Sequence, residues 1–351
     1  MAEAVILFGG ASSERLVSVA SAQNLAAHLP DAELWFWHPN GAVTKTSAVA
    51  LLEHQGPFEH AFTPRESPSA SSLVAALDAA QPNQVFVLSL HGGAGEDGTV
   101  QRLLEERRLA FTGSDSTASA RAFNKHLTKH MVAPLGLRLA FAQVIVPAPP
   151  NELAMRLQDL FTRSPRWVLK PVADGSSVGL VHLTSPAGIE QAVATLSRLS
   201  VPYLAEEFVT GRELTVGVVE ELEGPVALPV SEVRTVPGGA FDYAGKYLGQ
   251  GTEELTPAPI TEAEREQAQH VGLVAHRAVG CMGYSRTDMI LTPQGPVFLE
   301  INTLPGLTRA SFLPQQLAAA GKNMRTFLET QIALAKRRRD VREPKRPLAS
   351  V

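Results

Sequence analysis

The 351-residue sequence carries 31 basic against 35 acidic residues, a net charge of -4, with 44% hydrophobic and 19% charged residues. Such a length exceeds what one hydrophobic core organises, so two or three packed units are expected, and the composition excludes a disordered or fibrous chain. The near-balanced charge excludes a field that attracts nucleic acid, so any phosphate ligand must be held by local groups.

The opening, MAEAVILFGG, lacks the basic start of a leader and reaches glycine after a short apolar run, and the single cysteine, Cys281, has no second cysteine with which to pair. A cytoplasmic protein with neither membrane nor nucleic-acid partner is expected. Residues 4–10 (AVILFGG) read as a buried strand ending in a glycine turn, and SSERLVSVASAQNLAAHL continues at helical spacing. LWFWH at 34–38 and VFVLSLHGG at 85–93 read as further strands, and GTVQRLLEERR at 98–108 as a helix. This alternation predicts a parallel, doubly wound α/β sheet, whose ligands lie at the carboxyl ends of the strands, where Gly9, Gly10 and His91–Gly95 fall. Residues 40–84 lack a strong period and read as a variable surface region with one short helix.

SDSTASARAFNKHLTKHMV reads as one amphipathic helix, followed by strands near 139–146, 166–171, 178–183 and 203–208 with a helix between. From 213 onward LTVGVVE, VALPVSEV, YSRTDMILT and GPVFLEIN predict a mixed α+β unit, with a helix at 262–279 opened by a Thr261/Glu264 capping box. The tail KRRRDVREPKRPLASV is basic and proline-containing and reads as a solvated end.

Three segments carry the chemistry. In RTDMILTPQGPVFLEINTLPG, Asp288, Glu300 and Asn302 supply hard oxygen donors from two neighbouring strands. Residues two apart in a strand share a face, so Glu300 and Asn302 can address one cation with Asp288 across from them, a set suited to Mg²⁺. In WVLKPVADGSSVG at 167–179 a strand delivers Lys170 ahead of a Gly/Ser loop, which can lay N–H groups and hydroxyls around phosphate oxygens. In YLAEEFVTGRELTVG at 203–217 an acidic strand end precedes a turn and a strand carrying Glu213, a carboxylate available for ribose hydroxyls. Taken singly, each is an ordinary strand edge, turn or hairpin. No Walker A sequence and no GxGxxG after the first strand is present, which argues against a P-loop or nicotinamide-dependent enzyme.

In this order the three segments resemble the ATP-grasp enzymes. With FGGASSERLVSVASA near the start, LHGGAGEDGTVQRLLE at 90–105, FDYAGKYL at 241–248 and NTLPGLTRASFLP at 302–314, nearly the whole chain is similar to the D-alanine–D-alanine ligases. The resemblance implies an N-terminal parallel doubly wound α/β domain over 1–120, followed by the two-part ATP-grasp fold: a central subdomain over 121–211, a C-terminal domain with the metal site and lid over 212–340, and the basic tail at 341–351. It also implies ATP, two Mg²⁺ (or Mn²⁺) ions, D-alanine as substrate and a homodimer.

On this resemblance Glu14 engages the ammonium of the first D-alanine, Ser176 and Ser311 close its pocket, and His91 lies beside it. Lys125 and Lys170 contact the ATP phosphates, and Glu206 and Glu213 the adenine and ribose. Lys246 and Tyr247 belong to the lid, the first reaching the γ-phosphate and the second facing the substrates. Arg286 and the backbone N–H of Gly306 form an oxyanion site. Two positions depart from the family pattern: Asn124 where aspartate is usual, and Leu16 where an acidic residue is frequent. The rival readings are a D-alanine–D-serine or D-alanine–D-lactate ligase, against the latter of which Tyr247 argues, and a catalytically inactive nucleotide-binding regulator of the same fold.

Overall fold

The structure is a computed structural model that describes residues 4–173, 179–235 and 252–342. In the first part, β1 (Ala4–Gly9), α1 (Arg15–His28), β2 (Glu33–Trp37), β3 (Val43–Thr46), α2 (Ala48–Glu53), α3 (Leu73–Asp78), β4 (Val85–Ser89), α4 (Thr99–Glu106) and β5 (Ala110–Phe111) build a sheet of order β3-β2-β1-β4-β5. All its pairings are parallel except β2 with β3. Strands covered on both faces must be apolar throughout, and Val5, Ile6, Leu7 and Phe8 are all completely buried. At the end of β1 only glycine fits: Gly9 has φ +96°, and a Cβ there would lie 2.4 Å from the Trp37 carbonyl. The surface region read over 40–84 turns out to hold an antiparallel edge strand, β3, and two short helices, each capped by a serine, Ser47 and Ser72. Their shortness hides any period.

The next stretch holds α5 (Ser116–Phe123), α6 (Lys125–Val132), β6 (Arg138–Leu139), β7 (Ala142–Ile145), α7 (Pro150–Leu160), β8 (Trp167–Pro171), β9 (Val181–Leu183), α8 (Ile189–Leu199) and β10 (Tyr203–Glu207). β7-β10-β8-β9 form an antiparallel sheet covered by α7 and α8, with Trp167, Tyr203 and Leu157 at its core. The single amphipathic helix expected over 114–132 is two helices. Asn124 is extended between them, its carboxamide oxygen accepts from Leu127 N–H at 2.9 Å, and Lys125 N–H donates to the Val172 carbonyl at 2.9 Å. Asn124 thus starts a new helix, with Lys125 as its first residue.

The last part holds β11 (Arg212–Glu221), β12 (Gly224–Ala227), β13 (Ser231–Thr235), β14 (Thr252–Leu255), α9 (Glu262–Val279), β15 (Tyr284–Thr292), β16 (Gly295–Asn302), α10 (Phe312–Ala319) and α11 (Met324–Arg342). Its sheet runs β14-β13-β11-β15-β16-β6, with β12 also paired to β11. Residues 121–211 are shared between cores, since Ala122, Val132 and Leu137 pack with Leu214, Val216, Met289 and Phe298 of this third sheet. α9 covers that apolar face, opened by the expected capping box between Thr261 and Glu264. The KRRRDVR run read as the start of a solvated tail is the last part of α11, where Arg338 donates to the carbonyls of Phe111 at 2.8 Å and Gly113 at 2.7 Å. Its guanidinium forks bridge the third part to the first, a use that charge alone does not reveal.

Candidate active site

Strand alternation sorts the third sheet into two faces. Leu214 and Val216 face α9, so Glu213, Thr215 and Gly217 face the other way. Across the strands Ser231, Thr215, Asp288 and Glu300 are successive direct partners, and Arg286 pairs with Asn302. Directly opposed residues share a face, so Glu213, Arg286, Asp288, Glu300 and Asn302 occupy one side of one sheet. Asp288 is held by Thr215 Oγ1 at 2.6 Å and by a two-pronged contact from Arg286 at 2.9 and 2.7 Å. Asn302 Oδ1 accepts from Leu304 N–H at 2.8 Å, which fixes its carboxamide. Among the described residues no three His, Cys, Asp or Glu side chains cluster as a metal site. The oxygen set here is two carboxylates and a carboxamide, which fits a hard divalent cation sharing its coordination with phosphate.

Opposite this face stands a row of lysines. Lys125 Nζ lies 3.6 Å from Glu300, while Glu206, 3% exposed, holds Lys129 with one carboxylate oxygen and Lys170 with the other, each at 2.5 Å. Burial is the strongest influence on all three members and opposes their charges. It prevails at Lys129, whose ammonium falls below the ordinary lysine range. At Lys170 it is outweighed by Glu206, Glu300 and Asp288, which raise the ammonium. At Glu206 the two lysines outweigh it and hold the carboxyl below its usual value. The Glu206 carboxylate therefore sits between lysines, where its position on β10 beside β8 puts it. Lys129 is a residue that sequence reasoning missed. Its signal was present, since it follows Lys125 by four residues on a helix and so shares its face.

A third group converges from loops. Ser12 Oγ donates to the His91 carbonyl at 2.5 Å and accepts from Glu14 N–H at 3.2 Å, pinning the turn after β1 to the turn after β4. The Glu14 carboxylate lies where a Cβ on Gly92 would approach it to 2.9 Å. His91, 6% exposed, shares a hydrogen bond with Ser21 Oγ at 3.1 Å and lies 3.8 Å from Glu96. Ser21 Oγ also accepts from Leu307 N–H at 3.4 Å, and Asn24 Nδ2 donates to the Leu307 carbonyl at 2.8 Å. α1 thereby draws in the loop bearing Gly306 and Ser311, whose hydroxyl accepts from Thr308 N–H at 3.2 Å and lies against Gly306. A cleft lined by Glu96, Phe123, Lys125, Glu300, Asn302 and Thr303 adjoins both groups. Ser176, Lys246 and Tyr247 lie outside the described residues, as do residues 343–351 of the tail.

Cys281 is core: burial pushes its thiol up to about 12. Among the described residues no helix is long and apolar enough to cross a membrane.

An antiparallel sheet and a mostly antiparallel one that, with α6, set lysines against paired carboxylates, behind a mostly parallel α/β unit, are the parts of an ATP-grasp enzyme. Family models described as "D-ala D-ala ligase N-terminus" and "D-ala D-ala ligase C-terminus" match residues 3–114 and 162–333. A D-alanine–D-alanine ligase of Leptospira interrogans is 32% identical over 354 aligned positions, covering 96% of this chain and 99% of its own. Among solved structures, the VanG D-Ala:D-Ser ligase of Enterococcus faecalis superposes with TM-score 0.79 at 24% identity, covering 95% of this chain and 99% of its own. The D-alanine–D-alanine ligase of Coxiella burnetii does so with TM-score 0.77 at 24% identity, covering 97% of each. The chain belongs to the D-alanine–D-alanine ligase family, ATP-dependent enzymes that use a divalent metal.

Proposed function

We propose that this enzyme joins two D-alanines into D-alanyl-D-alanine through a D-alanyl phosphate, in the cytoplasm and as a homodimer, to supply peptidoglycan precursor synthesis. The observation that carries the reading is the single sheet face holding Arg286, Asp288, Glu300 and Asn302 against the Lys125, Lys129 and Lys170 row. The three units are taken as residues 1–120, 121–211 and 212–340.

Asp288, Glu300 and Asn302 are the donors for two Mg²⁺ (or Mn²⁺) ions, which when bound neutralise charge on the phosphates. Lys125 and Lys170 face the phosphate oxygens, joined by Lys246. Glu213 takes the ribose hydroxyls, and the strand leaving Glu206 takes the adenine. Glu14 receives the ammonium of the first D-alanine, with His91, Ser176 and Ser311 enclosing it. The carboxylate of that D-alanine attacks the γ-phosphorus and ADP leaves, giving the acyl phosphate. The second D-alanine, its amine deprotonated, attacks the acyl carbon. Charge that develops on the carbonyl oxygen is met by the Arg286 guanidinium and the Gly306 N–H, and collapse expels phosphate. A guanidinium has five N–H donors, so Arg286 can hold Asp288 with two and still serve this role. Closure of the lid to which Lys246 and Tyr247 belong excludes water that would hydrolyse the acyl phosphate.

The test is phosphate release from ATP with Mg²⁺, comparing D-alanine, L-alanine, and D-alanine with D-serine or D-lactate, products identified by mass. Release dependent on D-alanine with D-alanyl-D-alanine formed is expected. Only a mixed product would reassign the second substrate, and ATP binding without turnover would make the chain a regulator.

A further inference from the structure

The two lysines of α6 turn inward, Lys125 toward Glu300 and Lys129 onto Glu206. The residue after each is a histidine, and His126 and His130, four apart, share a second face of the helix, about 100° round from the lysines. His126 is half-buried and His130 exposed, and their Nε2 atoms lie 3.2 Å apart, one ring donating to the other. Among the described residues neither ring makes an ion pair or a further hydrogen bond.

That separation is the one a chelate needs. Two bonds of about 2.0–2.1 Å from imidazole nitrogens to one cation, with the nitrogens 3.2 Å apart, enclose about 100–106°, close to a tetrahedral angle. A shift of the donor ring to its Nδ1–H tautomer frees both Nε2 lone pairs without loss of a proton. The rings meet at 87° with centroids 4.4 Å apart, so the His130 ring must turn to aim its lone pair at the shared point, and its exposure leaves room to do so. Burial, and then the neighbouring His130, hold the His126 imidazole below its ordinary value, which keeps it neutral and able to ligate near neutral pH.

We propose that His126 and His130 form a site for a late first-row divalent cation such as Zn²⁺, completed by water and separate from the oxygen donors Asp288, Glu300 and Asn302. Neutral imidazole suits such ions, whereas Mg²⁺ takes hard oxygen, so the two sites sort cations by ligand type. The bound ion ties the first turn of α6 to the second and braces the helix that presents Lys125 and Lys129.

The experiment titrates Zn²⁺ into the full-length protein by calorimetry, without nucleotide and in excess Mg²⁺, which competes for the oxygen donors of the cleft. Wild type is compared with His126→Gln and His130→Gln, which keep polarity and helix propensity, and thermal midpoints without zinc check that each is folded. A binding step is expected in wild type and should weaken at least about tenfold in each variant, since even an outer partner of a metal ligand is worth that much. The rise in thermal midpoint that Zn²⁺ brings should shrink in both variants. Zinc binding or midpoint gains equal in wild type and variants, loss in only one variant, or no binding to wild type overturns the site.

Discussion

The first and third sheets serve one site in opposite ways. The first sheet buries both faces of its central strands β1 and β4, so no side chain there is spare, and its contributions, Glu14 and His91, come from turns beyond the strand ends. The third sheet, antiparallel except where β6 joins β16, gives only one face to α9, and its contributions, Arg286, Asp288, Glu300 and Asn302, are side chains of the strands themselves on the other. A site on strands is fixed by sheet register, whereas a site on turns is fixed by whatever clamps the turns, here Ser12, Ser21 and Asn24. Substitutions on the sheet face should therefore remove chemistry, and substitutions of the clamps should loosen substrate binding.

The largest effect is expected from Glu300→Gln, which removes a charged oxygen donor without opening the core. Ligation should fall by at least about 10³-fold with an unchanged thermal midpoint. A variant retaining wild-type turnover would remove Glu300 from the phosphate chemistry. Next comes Glu206→Gln, which leaves Lys129 and Lys170 buried against each other. It should cost about 3–5 kcal/mol in denaturant unfolding. Lys170→Ala also breaks this row, so its lost activity comes with lost stability. Because the Glu206 carboxyl is held below its ordinary value in the folded chain, its contribution is complete above the unfolded carboxylate value and is lost as pH falls through the lowered one. Thermal midpoints should accordingly drop more steeply with acid in wild type than in Glu206→Gln.

Ser21→Ala tests the clamp side of the comparison. Losing the shared hydroxyl should cost about 1 kcal/mol and appear as a several-fold rise in KM for D-alanine with kcat nearly kept. An unchanged KM would show that the turns hold themselves. The smallest effect is expected for Asn124→Asp, the residue usual in the family. Both caps satisfy Leu127 N–H, and the added negative charge at the start of α6 should stabilise by about 0.3–1 kcal/mol without changing turnover.

What the sequence made legible follows the same division. Strands with a clear apolar run, AVILFG and VFVLS, and the Thr261/Glu264 cap were readable because their signals are local. The pairing of Asp288 with Glu300 was readable from alternation, but the bulge after Asp288 that shifts the register was not. Lys129 was overlooked because a lysine on an amphipathic helix ordinarily marks the solvent side; its spacing from Lys125 hinted at a shared face, but its partners Glu206 and Lys170 come from β10 and β8. The break at Asn124 depended on Val172 and Ala173, which follow β8 far along the sequence, and the tie from Arg338 to β5 crosses most of the chain.

The bond between Asn24 and Leu307 spans 283 positions of sequence. A chain emerging from the ribosome can pair all the strands of its first sheet by residue 111, long before Leu307 has been synthesised. The turns after β1 and β4 must therefore wait, already folded, for the loop bearing Gly306 and Ser311, which reaches α1 only after the β15 and β16 carboxylates have been made.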